Sequence, residues 1–427
     1  MWSCLRLAGF ILSVSSTAIA SLAPVQVSES NTHLETSEGD TFVWIGDTAW
    51  ELFHKLDRPE ALVYLDNRAA KGFTVIQAVV LAELDGVRSP NAYGHLPLID
   101  QNPARPNEAY FEQVDFIVEA AAERGLVIGM LPTWGDKLPS SNPGAGPWIF
   151  TPENAAAFGI FLAHRYADQP IVWILGGDRN PDAGNATEIW EAMAAAIQQT
   201  TGGRQLITYH PRGWSTSARF FHQSDWLDFN MFQSGHETGI RPMDVLSTET
   251  GKMNPPKPFV NGEPAYEDIA IKFWEYLDFS QPGPQRAPPG VLDSSGLIAR
   301  PEHFALGFVQ PGDVRRQAYM TFLLGAAGYT YGNNAIWQMF KIDGEIALPT
   351  LTDWRTALDR PGAQSMRHLR NFWSTRPLGQ LRPAPEILVE APEPKDGYPS
   401  LAGRAADGSY LLVLLPHGGE VRVDIAS

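Results

Sequence analysis

From residue 41 onward, short and continuously apolar runs alternate with longer stretches whose apolar side chains recur every three or four positions. The first pattern predicts buried strands and the second amphipathic helices. Strands are expected at residues 41–46, 73–81, 126–131, 171–175, 205–209, 227–231, 258–261 and 328–331. Helices are expected at 58–71, 107–124, 151–166, 187–200, 313–324 and 365–373. Pro59 sits in a first turn, and Thr151-Pro152-Glu153-Asn154 reads as an N-cap followed by proline at the first helical position. Strands that are apolar throughout belong to a sheet covered on both faces, hence a parallel sheet with helical crossovers. Eight of them favour a closed (β/α)8 TIM barrel, here a catalytic domain at 25–373. No glycine-rich phosphate loop follows the first strand, which argues against an open nucleotide-binding sheet.

Past residue 376 the pattern changes. Short strands are expected at 386–390, 410–415 and 421–425, separated by turn signals at 392–399 and Asp407-Gly408. They form a small C-terminal β module at 376–427 that is too short for a full sandwich. Its strand set reads as incomplete at Ser427. A Pro/Gly-rich excursion at 282–300 is expected near the barrel mouth.

At the other end, Arg6, an apolar run at 7–14 and Ala18-Ile19-Ala20 have the three parts of a signal peptide at 1–20. The chain is therefore expected to be secreted or periplasmic, cut near Ala20. Cys4, the single cysteine, lies inside that segment, so the mature protein has no thiol chemistry. No later run reaches about 18 apolar residues, so no membrane helix is expected. Acidic residues outnumber basic ones 48 to 32, and nucleic acid or an anionic membrane would need a basic footprint; neither is an expected partner. The 13 tryptophans fill cores and also make flat platforms for sugar rings.

Chemistry in a TIM barrel collects where strands end. The first strand ends in Asp47 and Trp50, the second carries Gln77 and then Glu83, and the third ends in Trp134. Asp178 and Arg179 end the fourth, His210 the fifth, Gln233 and His236 the sixth, Glu263 the seventh, and Tyr331 with Trp337 the eighth. Asp178 and Glu263 each follow an apolar strand and a glycine, which leaves the carboxyl uncrowded. Glycoside hydrolysis needs two carboxyl groups, one protonated and one ionised, about 5 to 5.5 Å apart for retention and 6.5 to 9.5 Å for inversion. Asp178 fits the proton donor and Glu263 the nucleophile; a helix cap or an Arg179 ion pair is the structural alternative for Asp178. Arg179 would depress its neighbour's pKa, so it is expected to turn toward another carboxylate, Glu263. The remaining residues, Asp47, Trp50, Gln77, Trp134, Arg179, His210, Gln233, His236, Tyr331 and Trp337, are substrate-binding candidates. Caps, core indoles and satisfied histidines are the alternatives. No HExxH, CxxC, calcium-loop or G-x-S-x-G pattern occurs, so neither a metal, a cofactor nor a serine nucleophile is expected.

At Gly46-Asp47-Thr48-Ala49-Trp50, residues 71–77, residues 173–180 and Asn261-Gly262-Glu263-Pro264, the chain resembles the apiosidase-like glycoside hydrolases. The resemblance spans residues 25–373. It implies a (β/α)8 barrel that releases apiose, a branched pentose, from the side chains of pectic rhamnogalacturonan II. The family's catalytic Asp and Glu fall on Asp178 and Glu263. The tail resembles the β module that follows this barrel, a module sometimes labelled collagen-binding. The expected partner is thus a polysaccharide or oligosaccharide substrate. A non-catalytic carbohydrate- or matrix-binding protein, or another hydrolase or lyase on the same barrel, are the competing functions.

Overall fold

The computed structural model describes residues 22–425 apart from 143 and 145. The expected signal peptide, its cleavage point and Cys4 lie outside the described residues.

Eight parallel strands carry the fold: β1 Trp44–Thr48, β2 Val75–Leu81, β3 Val127–Thr133, β4 Ile171–Gly176, β5 Ile207–His210, β6 Asn230–Gln233, β7 Phe259–Asn261 and β8 Gly328–Tyr331. Their order in the sheet is β5-β4-β3-β2-β1-β8-β7-β6, so the first and last strands pair and the sheet curls toward closure. The ladder breaks only between β5 and β6. Thr208 Oγ1 donates to Phe229 O at 2.7 Å and Asp228 N to Ile207 O at 3.0 Å across that seam. This is the TIM barrel that the alternation of patterns implies. A two-residue strand, Ser215–Thr216, lies antiparallel beside β6.

The helices outside the barrel are α1 Arg58–Ala70, α2 Glu108–Glu123, α3 Pro152–Arg165, α4 Ala186–Thr201, α5 Arg241–Gly251, α6 Pro311–Leu323 and α7 Pro361–Trp373. Asp57 and Glu60 close a capping box on α1, and Thr151 with Asn154 closes one on α3. Helix α5 was not expected. Its buried residues are Pro242, Met243, Leu246, Ser247 and Thr250, two of them polar, which hides the helical period.

Side chains alternate between barrel interior and helix layer along each strand. Trp44 points inward and donates from Nε1 to Thr330 Oγ1 at 3.1 Å. Gly129 makes room there: a Cβ on it would lie 2.9 Å from Ile174 Cδ1. The interior is therefore a packed core, and substrate can enter only at the mouth. A cavity of about 520 Å³ lies at the opposite, N-terminal strand ends, among Val25, Val127, Ile171 and Gln205. It is remote from the end where barrels do chemistry.

The tail forms two small antiparallel sheets, Leu381–Pro383 with Leu401–Ala405 and Leu411–Leu414, and Leu388–Glu390 with Arg422–Val423. It packs on the barrel at α6. Tyr398 donates to Asp313 Oδ1 at 3.1 Å, lies under the Arg316 guanidinium, and shares an apolar cluster with Met243, Phe259 and Met320. Among the described residues no helix is long and apolar enough to cross a membrane.

Candidate active site

Glu263 lies two residues past β7 and is only 4% exposed. Gly262 precedes it in a tight space: a Cβ there would lie 2.4 Å from Met231 Sδ. Gln77, deep in the barrel, donates from Nε2 to Gly262 O at 2.9 Å and so braces the strand end. Three donors surround the carboxylate. Tyr266 donates to Oε1 at 2.6 Å, His236 Nε2 lies 3.2 Å from Oε1, and His210 Nε2 lies 3.0 Å from Oε2. The His210 nitrogen is at ion-pair distance but off the line of a full hydrogen bond. Burial by itself would raise this carboxyl, but the two imidazoles outweigh it and hold Glu263 below the usual carboxylate range.

His210 ties the Glu263 carboxylate to the backbone of Asp178. Its Nδ1 accepts from the Asp178 backbone N–H at 3.3 Å. A nitrogen that accepts carries no proton, so the proton sits on Nε2, the nitrogen facing Glu263.

Asp178 is held by an unusual run of backbone. Gly176, Gly177 and Asp178 have φ of 91°, 115° and 49°, three successive left-handed residues. Only glycine fits the first two positions. A Cβ on Gly176 would lie 2.2 Å from His210 O, and one on Gly177 would lie 2.7 Å from Trp134 Cε3. Asp178 has a Cβ and is strained, a feature that concentrates at functional sites. The turn lifts its side chain to 36% exposure at the mouth. Burial pushes the Asp178 carboxyl up, and the Glu263 charge adds to that. The Arg179 cation and the two imidazoles pull the other way and lose.

A family model described as the apiosidase-like catalytic domain matches residues 28–380. The chain belongs to the apiosidase-like glycoside hydrolases. A solved structure described as a glycoside hydrolase is 32% identical, with a TM-score of 0.74, over 92% of this chain and 83% of its own. A glycoside hydrolase family 5 structure from Bacteroides vulgatus is 31% identical, with a TM-score of 0.75, over 91% and 79%. A family 5 mannosidase from Rhizomucor miehei, 12% identical with a TM-score of 0.55 over 84% and 99%, shares the fold. No functionally curated protein matches the sequence.

In this apiosidase-like hydrolase several sequence candidates stand elsewhere than expected. Asp47 and Tyr331 sit opposite one another on β1 and β8 and point out of the barrel. Asp47 accepts from Arg68 Nε at 2.6 Å and from Tyr64, both on α1, and Tyr331 donates to Glu267 at 2.6 Å. All three bonds are buried, so these two residues anchor the helix layer and do not reach substrate. Arg179 does not turn to Glu263. Its Nη1 lies 2.9 Å from Asp178 Oδ2 and 2.7 Å from Asp178 O, pinning the strained residue it follows.

The expected tryptophan platforms are buried too. Trp134 packs beneath Gly177 and against Trp50, and Trp337 bonds from Nε1 to Asn334 at 3.2 Å. Trp50 donates from Nε1 to the Tyr266 hydroxyl at 3.1 Å, which extends a chain from Trp50 through Tyr266 to Glu263. Gln233 is buried at the end of β6 with Oε1 unpaired.

Tyr266 was not among the candidates, and Glu83 was named at the second strand end without a role. Tyr266 stands three residues after Glu263, and that spacing was its only signal. Glu83 faces Asp178, Arg179, Glu51 and Asp136 from the loop after β2. Burial, with the Glu51 and Asp178 charges, holds its carboxyl well above the usual range. Among the described residues no group of His, Cys, Asp and Glu is arranged to hold a metal ion.

Proposed function

We propose that this chain is an exported, retaining glycosidase that releases apiose from pectic rhamnogalacturonan II. One observation carries the reading: Glu263, 4% exposed, has the Tyr266 hydroxyl, His210 Nε2 and His236 Nε2 at 2.6, 3.0 and 3.2 Å, and shares the barrel mouth with Asp178, surroundings that hold the first carboxyl down and push the second up. A non-catalytic binding protein has no use for a buried carboxylate kept ionised by two imidazoles and a phenol. Export rests on the signal pattern at 1–20, and apiose on the family to which the chain belongs.

The reaction follows from the two protonation states. A Glu263 carboxylate oxygen attacks the anomeric carbon while the glycosidic C–O bond breaks. The Asp178 proton passes to the leaving oxygen, and a covalent glycosyl-enzyme results. Asp178, now a carboxylate, takes a proton from water. The water oxygen attacks the anomeric carbon and frees Glu263.

The test is digestion of rhamnogalacturonan II with identification of the released sugar. Wild type is expected to release apiose. Asp178→Asn and Glu263→Gln are each expected to slow release by roughly 10²–10⁴ while folding normally. Near wild-type turnover in either variant overturns that residue's role, and release of a different sugar overturns the substrate.

A further inference from the structure

The loop after β5 carries Trp214, which combines two features a stable fold avoids. Its backbone is left-handed, with φ of 59°, a conformation bulky residues rarely adopt. The residue is 44% exposed. Neither is an accident of a loose loop, because the backbone is tied at both ends. Trp214 N donates to Gln233 O at 2.9 Å, and Trp214 O accepts from Arg219 Nη1 at 3.1 Å. Arg219 is itself clamped to Glu249 by two bonds of 2.7 and 2.6 Å.

The ring lies beside Gly235, just past the end of β6. A Cβ on Gly235 would lie 3.4 Å from Trp214 Cδ1, so the indole edge rests against Gly235. Gly235 N in turn donates to Glu263 O at 3.1 Å. Among the described residues the indole has no ring or guanidinium partner, and its Nε1–H makes no hydrogen bond. The scaffold thus presents an aromatic face and a free donor beside Gly235, the residue whose N–H holds the backbone carbonyl of Glu263.

We propose that Trp214 floors a second sugar subsite, which takes the ring left behind when the bond breaks. This rests on the glycosidase reading above. Stacking of a sugar's C–H face on an indole uses a flat apolar surface, and the free Nε1–H suits a ring hydroxyl. The side of the bond follows from position. Asp178 protonates the leaving oxygen from the end of β4, and Trp214 lies on the loop after the adjoining strand, β5.

The experiment compares two substrates. Methyl apioside has no ring beyond the scissile oxygen, whereas rhamnogalacturonan II oligosaccharides do. Trp214→Ala and Trp214→Gly are expected to raise KM on the oligosaccharides about tenfold with kcat within twofold. On methyl apioside kcat/KM is expected to stay within twofold, and Trp214→Phe should recover most of the oligosaccharide KM. Glycine suits the left-handed backbone, so the Gly variant is expected to keep a wild-type Tm or exceed it. An unmoved oligosaccharide KM, or an equal loss on methyl apioside, overturns the subsite. If wild type cleaves neither substrate, the apiose reading fails. The subsite is then judged by fluorescence titration with the oligosaccharides, where equal affinity of wild type and Trp214→Ala overturns it.

Discussion

Glu263 and Asp178 are chemically similar groups whose surroundings drive them apart. Imidazoles and a phenol surround Glu263, whereas burial and a nearby negative charge dominate at Asp178. On the proposed mechanism the active form has Glu263 ionised and Asp178 protonated, which fixes the sign of each limb of the pH profile. Activity should be lost on the acid side only once Glu263 protonates, below the usual carboxylate range. It should be lost on the alkaline side as Asp178 ionises, at a pH raised from the ordinary aspartate value. Arg179, 2.9 Å from Asp178 Oδ2, favours the ionised form. Arg179→Met should therefore move the alkaline limb of kcat/KM to higher pH; a move to lower pH would mean that Asp178 is not the titrating acid.

The elements were mostly legible in the pattern, their faces much less so. Strands β2 to β4 are continuous apolar runs, and the expected 73–81, 126–131 and 171–175 differ from the observed strands by two residues or fewer at each end. The same continuity hides the phase of the pleat, because both faces of a barrel strand are buried. Asp47 and Tyr331 were misplaced for this reason: each is one residue out of step with the inward-pointing Gly46 and Thr330. The placement of Asp178 and Glu263 just past β4 and β7 was legible because glycines precede them. Trp214 carried no signal, since neither exposure nor a left-handed backbone can be read from Gly213-Trp214-Ser215. The correction at Asp47 has a consequence for β1 and α1. Asp47→Ala would leave the fully buried Arg68 without its carboxylate, at a cost of roughly 3–5 kcal/mol by denaturant unfolding. The folded fraction should keep a wild-type KM; a raised KM at unchanged stability would return Asp47 to the substrate site.

On the scale of the whole molecule, the barrel and the tail share apolar surface. Tyr398 and the partly buried Leu401 and Leu414 cover Met243, Phe259 and Met320 of the helix layer and β7. Removing residues 381–425 would bare that cluster, so the shortened barrel should unfold at lower denaturant than the full chain and aggregate more readily. Unchanged stability would make the tail an independent appendage. The barrel itself delivers the reaction by closing: β1 pairs with β8, and the ends of β4, β5, β6 and β7 come together at one mouth.

The central claim is that Glu263 attacks the sugar directly while Asp178 supplies the proton. Proton NMR of the first-formed product tests it most directly, recorded before the free sugar mutarotates. The account predicts a product with the anomeric configuration of the bond that was cut, because two displacements at one carbon restore it. A first product of inverted configuration would mean that water, not Glu263, attacks the anomeric carbon, and would contradict the account.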